Sequence, residues 1–350
     1  MDDKFNKLIG PKKEEDESIL GILPKVPLSN HQNTRININC HFIDYNDSEQ
    51  RRGHYFDFIS NSILSYILER KELDKATHHS DYVKLSKEAK SKIWEIANQE
   101  NEKNDGLLGE WNLYLFLEYI ENAKKLVSRM SLDTSTQGNR KGLDGVHFKI
   151  EDGNIYIYLG EAKIYKDIEL GLKDALGSIN KFFVDDRYHK EQIHIIKEHL
   201  DLSGDKELED FLLNNKIFTP SSTKTANEIL SIFIMFDCNS LKEIEEKHKK
   251  DFKSREAIIK EIEDYYTKYF EEKIYKEIED NLNLKNFKLS GVHRSKEDIE
   301  EDKKSGIEEP KKTETIEIEN KIKNKQFIFY FIPVKDVDNL RKDFKNHLSK

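Results

Sequence analysis

Gly142-Leu143-Asp144-Gly145-Val146-His147-Phe148-Lys149-Ile150-Glu151-Asp152-Gly153-Asn154-Ile155-Tyr156-Ile157-Tyr158-Leu159-Gly160-Glu161-Ala162-Lys163-Ile164-Tyr165 is the stretch on which the reading of this 350-residue chain turns. Leu143 to Ile150 and Ile155 to Ala162 read as strands joined at Asp152-Gly153, a dipeptide favoured in two-residue hairpin turns. Counted from that turn, Glu151 opposes Asn154, Ile150 opposes Ile155, Phe148 opposes Ile157 and Asp144 opposes Glu161. Opposed residues share a face and side chains alternate with period two. Val146, Phe148, Ile150, Ile155, Ile157 and Leu159 therefore line the same face as Asp144, Glu161 and Lys163. An apolar stripe ends in two carboxylates and an ammonium group.

Adjacent carboxylates on a core-facing surface raise each other's pKa and lose hydration as well. A divalent cation resolves that conflict, and oxygen ligands suit Mg²⁺ or Mn²⁺, with the Ala162 carbonyl as a further donor. Phosphodiester hydrolysis needs a barrier reduction of roughly 8–23 kcal/mol or more, which a lone lysine does not supply. A metal that acidifies water, with Lys163 orienting the nucleophile or stabilising developing charge, divides the task.

Asp144 before one strand and Glu161-Ala162-Lys163 at the end of the next resemble the PD-(D/E)xK nuclease signature. The fuller run, Gly109-Glu110, Gly142 to His147 and Leu159 to Tyr165, is similar to the family of nuclease subunits of the Hachiman antiphage defence system, over about Thr34 to Val334. The resemblance implies an α/β fold with a restriction-endonuclease-like core, a small mixed sheet flanked by helices, and helical elaborations. It also implies a metal-dependent DNA nuclease paired with a separate helicase subunit of the same system, and a site completed by a Glu from the first core helix. Glu110 fits that position, sharing a helical face with Leu107, Leu113, Tyr114 and Leu117, as an outer metal ligand or water-orienting group. Leu143 stands where the superfamily has its proline. The chain has no Gly-x-x-x-x-Gly-Lys-Ser/Thr loop, so an ATP-driven motor would be another protein.

Outward from the hairpin, Leu107, Trp111, Leu115 and Tyr119 recur at helical spacing after Asn104-Asp105-Gly106. A helix from Ser86 through Trp94 and Ala97 precedes them. Phe56, Ile59, Ile63 and Ile67 mark another, and Thr34 to Tyr45 alternates as a strand with Ile36, Ile38, Cys40 and Phe42 on one face. Downstream, Ile168, Leu172, Ala175, Ile179 and Phe182 face inward from a helix, and Ile229 to Phe236 reads as a fully buried strand. Leu241 to Asn281 is charge-rich and helical, Phe327 to Val334 a strand that must rejoin the main sheet, and Val337 to Leu348 a closing helix. The expected organisation is a flexible arm (1–30), an N-terminal α/β region (31–100), a nuclease core (101–240) and a charged helical region (241–285). A charged insertion or linker (286–325) and a returning strand and helix (326–350) follow.

Lys and Arg total 58 against 67 Asp and Glu, a net charge of −9. That balance argues against a free-standing tight nucleic-acid binder, though not against an enzyme that borrows a partner's grip. Hydrophobic residues are 36%, below the usual ~45–50%, but 19 Phe and 15 Tyr supply large buried areas. Cys40 and Cys238 form neither a disulfide framework nor a zinc pattern. The apolar runs Ile232 to Phe236 and Phe327 to Pro333 are far shorter than the ~20 residues of a membrane span. Met1 to Asn6 lacks the basic and apolar regions of a signal peptide, and a cytoplasmic protein is expected.

Plainer readings stand beside these. Glu-x-Lys recurs, as in Glu88-Ala89-Lys90 on a helix, so only strand context distinguishes residues 161–163. Asp144-Gly145 also suits a simple turn, and Glu110 a helix-entry charge favoured by the dipole. His189, His194 and His199, spaced by five, do not converge on a helix. His147 points away from Asp144, as a DNA contact or a surface residue. Tyr265, Tyr266, Tyr269 and Phe270 suit core or a partner surface. Lys166, Lys173 and Lys181 can reach phosphates, but Asp167, Glu169 and Asp174 are interspersed. Two rival functions remain: a non-catalytic adaptor with a degenerate nuclease fold that binds the helicase, and an RNA nuclease.

Overall fold

A computed structural model describes residues 19–29, 34–47, 49–68, 70–99, 106–126, 143–152, 154–184, 227–251, 254–282 and 325–349. The hairpin is its centre. β5 (Gly145–Glu151) and β6 (Asn154–Tyr165) pair antiparallel with Glu151 opposite Asn154, Phe148 opposite Ile157 and Gly145 opposite Gly160, the register counted from the turn. Asp152 has φ 50°, the left-handed conformation that a two-residue turn of this kind needs.

Beyond β6, β7 (Asn227–Asp237) and β8 (Gln326–Val334) add in parallel, and β1 (Ile36–Cys40) follows parallel to β8. β4 (Lys124–Lys125) closes the other edge against β5. The six-stranded mixed order is thus β1-β8-β7-β6-β5-β4, with β2 (Tyr45–Asn46) and β3 (Glu49–Gln50) forming a separate small hairpin. β8 enters between β1 and β7, so the late strand does rejoin the main sheet and buries its rings there.

Helices cover both faces, which is why β7 and β8 are apolar without alternation. α1 (Arg52–Asn61), α2 (Ile63–Ile67), the short α3 (Arg70–Leu73), α4 (His79–Gln99) and α5 (Leu107–Leu115) come before the hairpin. α6 (Ile168–Val184) follows β6, and α7 (Asn239–Asp251), α8 (Arg255–Tyr269) and α9 (Tyr275–Leu282) lie between β7 and β8; α10 (Val337–Leu348) closes the chain. Leu172, Ala175, Leu241, Ile258 and Phe270 pack with Ile38, Leu159, Ile232 and Phe331 on one face. Phe56, Ile63, Ile93, Trp111, Leu113 and Leu340 pack with Ala162, Ile164, Phe233 and Tyr330 on the other.

Several elements differ from the sequence reading. Of the segment 1–30 expected as an arm, residues 19–29 pack on the core: Ile19, Leu23 and Val26 are fully buried. Apolar residues in a short polar segment were enough to dock it. The helix through Phe56 and Ile67 is two helices, because Ser62 interrupts it and receives a hydrogen bond from Trp111 Nε1 at 2.8 Å. α5 runs on into a π-helical turn at Phe116–Ile120, and α8 into another at Phe270–Ile274. Tyr266 and Phe270 are core residues. Residues 1–18, the break at Ser131–Lys141, His189, His194, His199, the Lys181 and Phe182 side chains and the charged insertion lie outside the described residues. Among the described residues no helix is long and apolar enough to cross a membrane.

Candidate functional site

β6 is longer than β5, so its last residues extend past the end of its antiparallel partner, and Asp144 stands at that step. The Ala162 N–H donates to Asp144 Oδ2 at 2.7 Å. Asp144 N–H in turn donates to the Gly160 carbonyl at 2.9 Å, continuing the ladder to the position opposite Glu161. In an extended strand a residue's N–H and C=O leave on the same side. The Ala162 carbonyl is therefore directed to the edge that holds Asp144.

Glu161 and Lys163, two residues apart, share a face of β6, and Lys163 Nζ lies 2.9 Å from Glu161 Oε1. The same ammonium lies 3.1 Å from Asp174 Oδ2, and the Tyr165 hydroxyl donates to that Oδ2 at 2.9 Å. Asp174 and Ser178 are one turn apart on α6, and Ser178 lies near enough to the Glu161 carboxylate to favour its charged form. Burial and the charge of Asp144 push the Glu161 carboxyl above the usual carboxylate range, against the pull of Lys163 and Ser178. Burial alone would lower the Lys163 pKa, but Glu161, Asp174 and Asp144 overcome it and hold the lysine above its ordinary value. One cation and three carboxylates thus meet where Glu161 is buried, Asp144 and Lys163 are half-buried and Asp174 opens to solvent.

Asp144, Glu161, Ala162 and Lys163 are therefore brought together. Glu110 arrives differently. It is buried in the first turn of α5, which crosses the opposite face of β6: Gly109 is so close that a Cβ there would stand 3.2 Å from Ile164 Cγ1. Glu110 thus reaches β6 from the face opposite Glu161 and Lys163, and among the described residues no three His, Cys, Asp or Glu side chains gather as a metal cage.

His147 is neither a surface residue nor placed to touch DNA. α5 and its π-helical turn cover that face of the hairpin, leaving the ring 2% exposed beside Tyr114, with Glu118 at 4.0 Å. Burial, with Lys125 and Lys124, drives its pKa down to about 3. Asp174, Ser178 and the Tyr165 hydroxyl are the site residues that the sequence reading did not assign. The only hint was their position: Asp174 and Ser178 border the apolar stripe of α6 at i, i+4 spacing.

Compared with known proteins, residues 22–348 match a family model described as HamA. No curated protein and no solved structure matches the chain.

Proposed function

Because the chain belongs to the HamA family, and is thereby a component of the Hachiman antiphage defence system, we propose that it is that system's metal-dependent nuclease, cleaving DNA phosphodiester bonds. The observation that carries this reading is the meeting of Asp144, Glu161 and Lys163 at the step where β6 outruns β5. A surface ion pair has no need of a second carboxylate held on a backbone N–H beside it.

The donors suit a hard divalent ion, being two carboxylates and the Ala162 carbonyl, with Glu110 as an outer group. Mg²⁺ or Mn²⁺ bound there supplies a water of lowered pKa and offsets charge on the scissile phosphate. Ala162 N–H fixes the Asp144 carboxylate, and Lys163, with Ser178 nearby, fixes that of Glu161. Lys163, clamped between Glu161 and Asp174, remains cationic and can orient the attacking water or stabilise charge developing on the phosphate. The chain's net charge of −9 is consistent with a helicase partner that delivers the DNA.

The test is degradation of plasmid, single-stranded DNA and RNA by wild type, Lys163→Ala and Glu161→Gln, each with Mg²⁺, Mn²⁺ or EDTA and with or without the neighbouring helicase. Metal-dependent DNA cleavage that drops at least about a hundredfold in both variants is expected. Full activity in both variants sinks the assignment. Absence of cleavage under every condition transfers it to a helicase-binding adaptor, and preferential loss of RNA to a ribonuclease.

A further inference from the structure

β7 and β8 are adjacent and parallel, yet the chain leaves them toward opposite faces. α7, after β7, buries Leu241 and Ile244 in one layer, whereas α10, after β8, buries Val337, Leu340 and Phe344 in the other. Helices that part at the carboxyl ends of neighbouring parallel strands leave a crevice between them, where open α/β sheets bind ligands. Here it is a cleft of about 770 Å³, bordered by Lys166 just past β6, by Lys242 on α7 and by Lys335 and Lys342 at α10. A second cleft of about 690 Å³ shares Arg52 and Lys249 with it and continues to the β2–β3 hairpin.

The acids of the main cleft are mostly engaged. Asp237 and Asp336 accept the Val337 and Asn339 N–H groups at the start of α10, at 2.6 and 2.9 Å. Glu245 is buried between the Tyr45 hydroxyl and Lys335; Glu246 and Asp338 are the other carboxylates of this lining, and Asp47 and Glu49 those of the second cleft. Three exposed or half-exposed carboxylates instead sit on groove cations: Asp338 on Lys166 at 2.6 Å, Glu49 on Lys249 at 2.7 Å and Asp343 on Arg52 at 3.0 Å. Solvent-exposed pairs of this kind are weak, and a phosphate oxygen can replace the carboxylate.

We propose that the joined clefts are a track for the phosphate backbone of a nucleic-acid strand, running from the β2–β3 hairpin to Lys166, three residues beyond Lys163, with Glu49, Asp338 and Asp343 occupying the cations when no strand is bound. The proposal rests on the nuclease reading for its ligand. It accounts for a chain of negative net charge that must still hold a polyanion at the carboxyl ends of its central strands.

The experiment is fluorescence anisotropy of a labelled 20-nucleotide DNA, single-stranded and duplex, with the full chain in EDTA across a salt series; Mg²⁺-dependent cleavage of the same DNA is measured separately. The Lys242→Ala, Lys342→Ala double variant, changed at exposed positions, is expected to bind at least about tenfold more weakly. Its log–log salt slope should be shallower by about 1.4 for single strands or 1.8 for duplex. Glu49→Gln with Asp343→Asn is expected to bind severalfold more tightly. A wild type that cleaves while the lysine variant keeps its affinity and slope overturns the groove and leaves the nuclease reading standing. Lysine-dependent binding without cleavage in Mg²⁺ or Mn²⁺, both with and without the neighbouring helicase, does the reverse. No binding by wild type, or lysine-dependent binding of polyglutamate in place of DNA, overturns the groove.

Discussion

Lys163 faces two carboxylates of different kinds. Glu161 is buried with it on the same strand, whereas Asp174 comes from α6 and is 47% exposed. Losing Asp174 therefore costs little stability, because an exposed partner is screened by water. It removes, however, one of the two anchors of the ammonium and the acceptor of the Tyr165 hydroxyl. Asp174→Asn is expected to slow cleavage about tenfold, the equivalent of about 1.4 kcal/mol in the barrier, with an unfolding midpoint like that of wild type. An unchanged rate would show that Glu161 alone positions Lys163. At this scale the sequence was readable where period two governs: once Asp152-Gly153 was taken as the turn, Asp144, Glu161 and Lys163 had to share a face. Asp174 and Ser178 were not readable, because their meeting with β6 depends on how α6 docks, which no local spacing encodes. The burial of His147 is unreadable for the same reason, since alternation says which face a residue is on and not what covers it.

α5 and β6 meet closely at Gly160. A Cβ on Gly160 would lie 2.7 Å from Leu113 Cδ2 and 3.1 Å from the Gly145 carbonyl. Leu113 is itself fully buried, so its methyl group cannot swing into open space. Gly160→Ala is thus expected to destabilise the fold by about 1–3 kcal/mol as an overpacked core does, read from urea unfolding midpoints. Cleavage per folded molecule should also fall, since Gly160 adjoins Glu161 and its carbonyl receives the Asp144 N–H. Stability equal to wild type would mean that Leu113 and β5 yield without strain. Helix and strand types were readable here from apolar spacing, but interruptions were not. The break at Ser62 is matched to Trp111, 49 residues later, and the π turn at Phe116–Ile120 follows a helix whose nine residues are all buried, where no amphipathic pattern marks an end.

Across the whole molecule the fold is closed by distant partners, β1 with β8 and α1 with α10; buried His41 follows β1 at this closure, and buried His147 lies on β5 toward the opposite edge of the sheet. His41 Nδ1–H donates to the Leu23 carbonyl at 2.9 Å, and the ring packs on Phe116. Burial first, and Lys25 in smaller part, outweigh that bond and lower its pKa to about 4. His147, at about 3, has no hydrogen bond to either ring nitrogen among the described residues. Both folded-state values lie below the unfolded value of about 6.5. Between them the unfolded chain binds more protons than the native one, so stability rises with pH. The contribution is complete above about pH 6.5 and is lost progressively as pH falls toward 4 for His41 and toward 3 for His147. At pH 5 each histidine has cost about 2 kcal/mol, or 1.4 kcal/mol per unit over 1.5 units. Carboxylates also titrate at low pH, so a difference between proteins is the clean measurement. His147→Phe keeps a ring against Tyr114 and removes the titrating group. Its loss of unfolding free energy from pH 7 to pH 5 should be smaller than that of wild type by about 2 kcal/mol. Equal losses in the two proteins would mean that a protonated His147 is accommodated by Glu118, 4.0 Å from its Nε2, despite Lys124 and Lys125 beside it.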